Sequence, residues 1–168
     1  PTAGSYNYEE AQPFYVNSPF GLVLVHNGNL VNANQLRKKL FQSDLRHINT
    51  SSDSEVLLNV FAHALQKNAE SVLTEENIFK AVNEVHERVE GAYSAIIMIL
   101  GYGIVAFRDP HGIRPLVFGS KGNDKHMFAS ESVALDCLGY NLNSDVFPGE
   151  AIFINNKGKV FKNMYNGQ

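Results

Sequence analysis

The sequence predicts an α+β fold in which sheets pack on one another with helices outside, and three observations carry that prediction. Helical periodicity is confined to residues 32–90. From residue 92 onward, short apolar runs follow one another across tight turns. One further apolar run, residues 21–26, stands ahead of the helices.

Residues 1–20 are rich in turn formers and aromatics and read as an irregular loop. Gly21-Leu22-Val23-Leu24-Val25-His26 reads as a strand, with Asn27-Gly28 following as a turn signal. A helix fits 32–42, with Asn32 at its cap and Leu36 and Leu40 on one face. Ser52 and Glu55 have capping-box spacing ahead of Val56, Leu57, Val60, Phe61, Ala64 and Leu65, a stripe of helical period. The next helix fits 75–90: Thr74 caps it, Ile78, Val82, Val85 and Val89 face inward, and Gly91 stops it. Strands then fit 92–100, 103–108, 114–119, 126–129 and 150–155, with 158–162 as a final one. Turns fall at Gly101-Tyr102-Gly103 and Gly122-Asn123-Asp124, and a short helix at 131–138 ends at Gly139. The unbroken apolar character of 92–100 predicts a strand buried on both faces.

At 168 residues the chain has the length of one ordinary domain, and residues 1–168 read as one. Hydrophobic residues at 44%, with 11 Phe and 7 Tyr, supply a substantial core. Asp and Glu (17) outnumber Lys and Arg (14) for a net charge of −3, which argues against a nucleic-acid partner and its clustered basic footprint. The longest apolar run, residues 95–100, is far shorter than the ~20 residues of a membrane span. With a single cysteine, Cys137, no internal disulfide can form, and with no signal peptide a reducing cytoplasm is the expected compartment. Cys137 lies in the apolar helical stretch Ala134-Leu135-Asp136-Cys137-Leu138, where a thiol is expected to be a small buried hydrophobe. None of the six His has metal-site spacing, and no glycine pattern marks a nucleotide site.

Polar and turn-forming residues gather at Pro1-Thr2-Ala3-Gly4, at His26-Asn27-Gly28-Asn29 and at Ser51-Ser52-Asp53. Taken alone, each reads as structure. Asn-Gly is the commonest hairpin turn, Asp at a helix start favours the macrodipole, and Thr in a Gly-containing loop is ordinary loop. Asp109-Pro110-His111-Gly112 is likewise a turn by composition.

In their wider context these stretches resemble the glutaminase domain of the amidophosphoribosyltransferase family. The resemblance rests on Pro1-Thr2-Ala3-Gly4, Ala11-Gln12-Pro13-Phe14, His26-Asn27-Gly28-Asn29-Leu30 and residues 47–53. It continues through Phe107-Arg108-Asp109-Pro110-His111-Gly112-Ile113-Arg114-Pro115-Leu116 and Ala129-Ser130-Glu131-Ser132, in order along nearly the whole chain. His-Asn-Gly and Ser-Asp recur across related amidotransferases. The long Arg-Asp-Pro string is more specific and separates this family from the glucosamine-phosphate and asparagine synthetases.

The resemblance implies the four-layer αββα sandwich of the amino-terminal-nucleophile hydrolases, incomplete here at its amino-terminal end. It implies a cysteine thiolate at a mature amino terminus that attacks the side-chain amide of glutamine, its own α-amine acting as general base. An α-amine titrates at about 7.7–8.0, so it exchanges a proton at working pH. Asn27, through its side-chain amide, and Gly28, through its backbone N–H, fall on the family's oxyanion hole. Asp53 falls on the carboxylate that pairs with the substrate ammonium, and Thr2 is a polar contact to the substrate backbone. The family's cysteine and its carboxylate-binding arginine lie upstream of Pro1, so this chain is expected to be part of a longer enzyme and inactive by itself. That enzyme would pass ammonia to phosphoribosyl pyrophosphate, giving 5-phosphoribosylamine in purine synthesis. Its Mg2+-dependent phosphoribosyltransferase domain would lie outside this sequence, which itself needs no cofactor. Assembly as a homo-oligomer is also implied, with glutamine as the ligand and no nucleic acid or membrane as partner. Two other readings stand beside it: the amidotransferase domain of another synthase, and a non-catalytic scaffold domain of the same fold.

Overall fold

The computed structural model describes residues 8–69 and 72–167. A 3-10 turn, Tyr8–Glu10, leads into strands β1 (Phe14–Val16) and β2 (Leu22–Leu30). Helices α1 (Ala33–Asp44), α2 (Asp53–Asn68) and α3 (Glu75–Arg88) follow. The rest is β3 (Gly91–Ile99), β4 (Gly103–Arg108), β5 (Val117–Lys121), β6 (Lys125–Ala129), the short α4 (Ser132–Cys137), β7 (Asn141–Asp145), β8 (Glu150–Asn155) and β9 (Val160–Met164). These strands make an antiparallel six-stranded sheet, β1-β2-β3-β4-β8-β9, and a three-stranded sheet, β6-β5-β7.

Period-2 alternation sorts the large sheet's residues between two cores. Leu22, Leu24, Tyr93, Ile97, Phe107 and Phe153 pack under the helices with Leu57, Phe61 and Val82. Ala106 and Ile152 point the other way and meet Leu116, Phe118 and Val146 between the sheets. On the far side of the small sheet, α4 seats Leu135 against Gly119, where a Cβ would come within 2.8 Å of a Leu135 methyl. The layers are therefore helix, sheet, sheet, helix.

Several sequence expectations need correction. Asn27-Gly28 is not a turn: β2 runs through it, pairing Asn27 with Ser94 and Gly28 with Tyr93. Glycine is required there by close approach, because a Cβ would lie 2.0 Å from the Ala92 carbonyl oxygen. Glu55 does not close a capping box. Ser52 accepts from Ser54 N, while the Glu55 carboxylate takes the N–H groups of Asn49 and Thr50 and the Thr50 hydroxyl. Thr74 does form one, reciprocally with Asn77. Asn32 makes no side-chain cap; its amide instead joins the Arg88 carbonyl and the Glu90 N–H, tying α1 to the end of α3.

The expected loop at 1–20 contains β1, and β7 escaped notice because Asn141-Leu142-Asn143-Ser144-Asp145 is mostly polar. β5 begins at Val117 rather than 114, since residues 109–116 are held as a loop. β3 is buried on both faces only in its first part; Met98 is 46% exposed where the small sheet does not cover it. Cys137 is exposed, because the six-residue α4 buries only Leu135.

Candidate active site

The large sheet delivers Asn27 and Gly28 along one edge of β2. β1 covers that edge only from Leu22 to Leu24. Beyond it, the His26 N–H donates to Gln12 Oε1 at 2.6 Å and the Gln12 amide donates to the His26 carbonyl at 2.8 Å. Further along, the Leu30 N–H donates to Asp53 Oδ2 at 2.9 Å. Strand alternation turns the Gly28 N–H toward the same edge as those of His26 and Leu30. Tyr93, its partner on β3, directs its own N–H and carbonyl to Asp109 instead.

The start of α2 supplies the opposite wall. Asp53 occupies the first turn of the helix, where its charge meets the macrodipole favourably. It is only 4% exposed, with Oδ1 left toward the His26 ring. Ser54 Oγ accepts from the Gln12 amide at 3.3 Å and lies 2.9 Å from His26 Nδ1.

Burial pushes the His26 imidazole below its ordinary pKa; Asp53 pulls it back and the Arg114 guanidinium lowers it further. Burial thus favours the neutral ring, which stands 3.9 Å from Asp53 Oδ1. Ser54, His26 and Asp53 do not make a hydrolytic triad. Both partners face the same nitrogen, Nδ1, whereas a relay uses opposite ring nitrogens, and Nε2 is buried with no partner among the described residues.

The third wall is the loop after β4. Arg108 donates to the carbonyls of Arg114, Gly112 and Val146 at 2.6, 2.6 and 3.0 Å. Asp109 accepts from the N–H groups of Tyr93, His111 and Ile113. The loop so folded carries Arg114 to the cleft, with its Nε buried and without a partner among the described residues.

Together Gln12, His26, Asn27, Gly28, Asp53, Ser54, Arg114 and Ser130 line a cavity of about 270 Å³. Of the sequence-predicted site residues, Asn27, Gly28 and Asp53 come together here, and Thr2 lies outside the described residues. Gln12, His26, Ser54, Arg114 and Ser130 had been given no role, although all but Ser54 lie in the strings that carry the resemblance. Cys137 is not among the lining residues. Among the described residues, no His/Cys/Asp/Glu group could hold a metal ion and no helix is long and apolar enough to cross a membrane.

The layering is that of the amino-terminal-nucleophile amidotransferases. The chain belongs to the glutamine amidotransferase domain family, whose model matches residues 5–137. It is 57% identical over 164 residues to the amidophosphoribosyltransferase of Pseudomonas aeruginosa, covering 96% of this chain and 33% of that protein. It is 56% identical over 165 residues to the amidophosphoribosyltransferase of Escherichia coli, with the same coverage. Among solved structures, the glutamine phosphoribosylpyrophosphate amidotransferase of B. subtilis, complexed with ADP and GMP, superposes with a TM-score of 0.78 at 32% identity. That match covers 98% of this chain and 34% of the other. The chain thus spans about a third of the length of the curated relatives it matches.

Proposed function

We propose that the cleft binds glutamine and hydrolyses its side-chain amide, and that the chain is the ammonia-supplying part of an amidophosphoribosyltransferase. The observation that carries this reading is the opening of the Asn27-Gly28 edge and the Asp53 carboxylate onto one cavity. Glutamine is a zwitterion with a neutral amide at its far end, and the cavity offers a matching anion and a pair of donors. Asp53, with Oδ2 fixed by Leu30, takes the ammonium. The Asn27 amide and the Gly28 N–H face the amide oxygen as it acquires negative charge. The attacking thiolate is the amino-terminal cysteine of the family, with its α-amine as base. Attack at the amide carbon releases ammonia, and water then cleaves the glutamyl thioester to glutamate. In the whole protein the ammonia goes to phosphoribosyl pyrophosphate on a Mg2+-dependent phosphoribosyltransferase domain, in purine synthesis in the cytoplasm, and the enzyme is a homo-oligomer.

Steady-state kinetics of two variants of the full-length protein test the reading. Asn27→Ala acts on kcat, lowering it about 10²–10³-fold, because the oxyanion exists only after attack. Asp53→Asn removes a charge-assisted bond of about 1.5–3 kcal/mol and lowers kcat/KM about ten- to a hundredfold, mainly through KM. Unchanged glutamine kinetics in Asp53→Asn with a lowered melting temperature would reduce Asp53 to a clip for Leu30 and a helix start.

A further inference from the structure

We infer that Gln12 is a positioning residue for the Asn27-Gly28 edge, its side-chain amide standing in for a missing strand neighbour; this rests on the oxyanion role proposed above. In the register of β1 on β2, Phe14 lies opposite Leu24 and Val16 opposite Leu22, so the residue facing His26 is Gln12 itself. The backbone ladder does not reach that point, since β1 pairs with β2 only over Phe14–Val16. The Gln12 side chain supplies both halves of the lost pair, accepting from the His26 N–H at 2.6 Å and donating to its carbonyl at 2.8 Å.

The peptide so held is the one immediately before Asn27. Four residues along, the same edge is held again by the Leu30 N–H on Asp53. Between these two points lie the Asn27 side chain, which is exposed, and the Gly28 N–H. The Gln12 amide has two N–H groups, and both are committed, one to His26 and the other to Ser54 Oγ at 3.3 Å. Although Gln12 lines the cavity, it therefore has no donor left for a substrate. Its second bond also fixes Ser54, whose hydroxyl orients the His26 ring beneath Gly28; a Cβ on that glycine would meet His26 Nε2 at 2.8 Å. One exposed glutamine thus ties the strand edge, the helix start and the imidazole into a single geometry.

The test is made in the full-length protein with Gln12→Met, which keeps the reach of the side chain and loses all three hydrogen bonds, and Gln12→Ala, with Asn27→Ala as reference. Both Gln12 variants should lower kcat for glutamine hydrolysis about tenfold or more, since sub-ångström misplacement of a reacting group is costly. KM should stay within about threefold, because Asp53 is untouched. Product formation from added ammonia should be unchanged, which a general loss of folding would not allow. In the Gln12→Met/Asn27→Ala double variant the losses should combine to less than their product, because Gln12 acts through the dipeptide. A wild-type kcat in Gln12→Met beside a depressed one in Asn27→Ala overturns this inference alone. A wild-type kcat in Asn27→Ala overturns both the inference and the oxyanion reading beneath it.

Discussion

The His26-Asn27-Gly28 edge and the 108–116 loop both reach the same cavity, yet they hold their shapes in opposite ways. The edge is shaped from outside: Gln12 clasps His26, Asp53 holds Leu30, and β3 backs the whole strand. The loop is shaped mainly from within: Arg108 takes two of its own loop's carbonyls, and Asp109 takes two of its own loop's N–H groups. This difference accounts for how the two stretches read as sequence. The loop's bracing rests on two adjacent side chains, Arg108 and Asp109, that bond to its own backbone, so it shows in the sequence as one continuous string. An edge braced by distant residues needs only Asn and Gly in place, so it is short and easily mistaken for a hairpin. The loop's contribution to the cleft is one side chain, Arg114.

The largest effect expected from this contrast falls on the loop. Asp109 is fully buried, and Asp109→Ala strands the Tyr93, His111 and Ile113 N–H groups together. The Tyr93 N–H is a buried donor while those of His111 and Ile113 lie in part-buried bonds, so with a penalty of about 1–3 kcal/mol for a buried unsatisfied donor, unfolding in urea should show a loss of about 2–3 kcal/mol. The same variant, assayed per folded molecule in the full-length protein, should lose far less kcat than Asn27→Ala. An Asp109→Ala protein of native stability but with kcat lost would reverse the contrast and place the catalytic burden on the loop.

Most of the fold was legible because it follows from periodicity and caps. The stripe Val56, Leu57, Val60, Phe61 and the Thr74 cap define α2 and α3 without any tertiary information. What escaped was set by partners elsewhere in the chain. β7 is polar in sequence and is a strand because β5 pairs with it. Asn27-Gly28 stays extended because β3 runs opposite it, a pairing across more than sixty residues that no local propensity encodes. In the site, Asn27, Gly28 and Asp53 were named from the sequence. Gln12 was not, since its role exists only in the register that places it opposite His26.

A pH titration sharpens the contrast next, because the loop is anchored to a buried histidine. Tyr93, whose N–H Asp109 accepts, also places its hydroxyl 2.8 Å from His86 Nδ1. Burial lowers the His86 pKa from 6.5 to about 4, with Asp109 pulling the other way, and burial likewise raises that of Tyr93, with Asp109 and Tyr165 adding to it. As pH falls through 6.5, the unfolded chain takes the proton first, so stability drops with pH. The loss develops between pH 6.5 and about 4 and totals about 3 kcal/mol for this group. His86→Gln, which keeps an acceptor for Tyr93, should flatten that part of the urea-unfolding profile. An unchanged profile would mean that other groups, His26 among them, carry the acid sensitivity.

The smallest effect is expected at Cys137, which belongs to neither region. It stands at the exposed end of α4, on the outer side of the small sheet, and does not line the cavity. Replacing an exposed thiol by a hydroxyl removes no buried contact, so Cys137→Ser should change stability by less than about 0.5 kcal/mol. In the full-length protein it should leave glutamine hydrolysis at the wild-type rate. The 168-residue chain alone has no other cysteine to offer the cleft. A glutamine amide held by Asn27, Gly28 and Asp53 would still lack the thiolate that attacks it, and donors without a nucleophile give only weak residual catalysis. Incubated with glutamine, the purified chain should therefore release no glutamate above background. Release that disappears in Cys137→Ser would make α4, rather than the β2 edge, the place where the chemistry occurs.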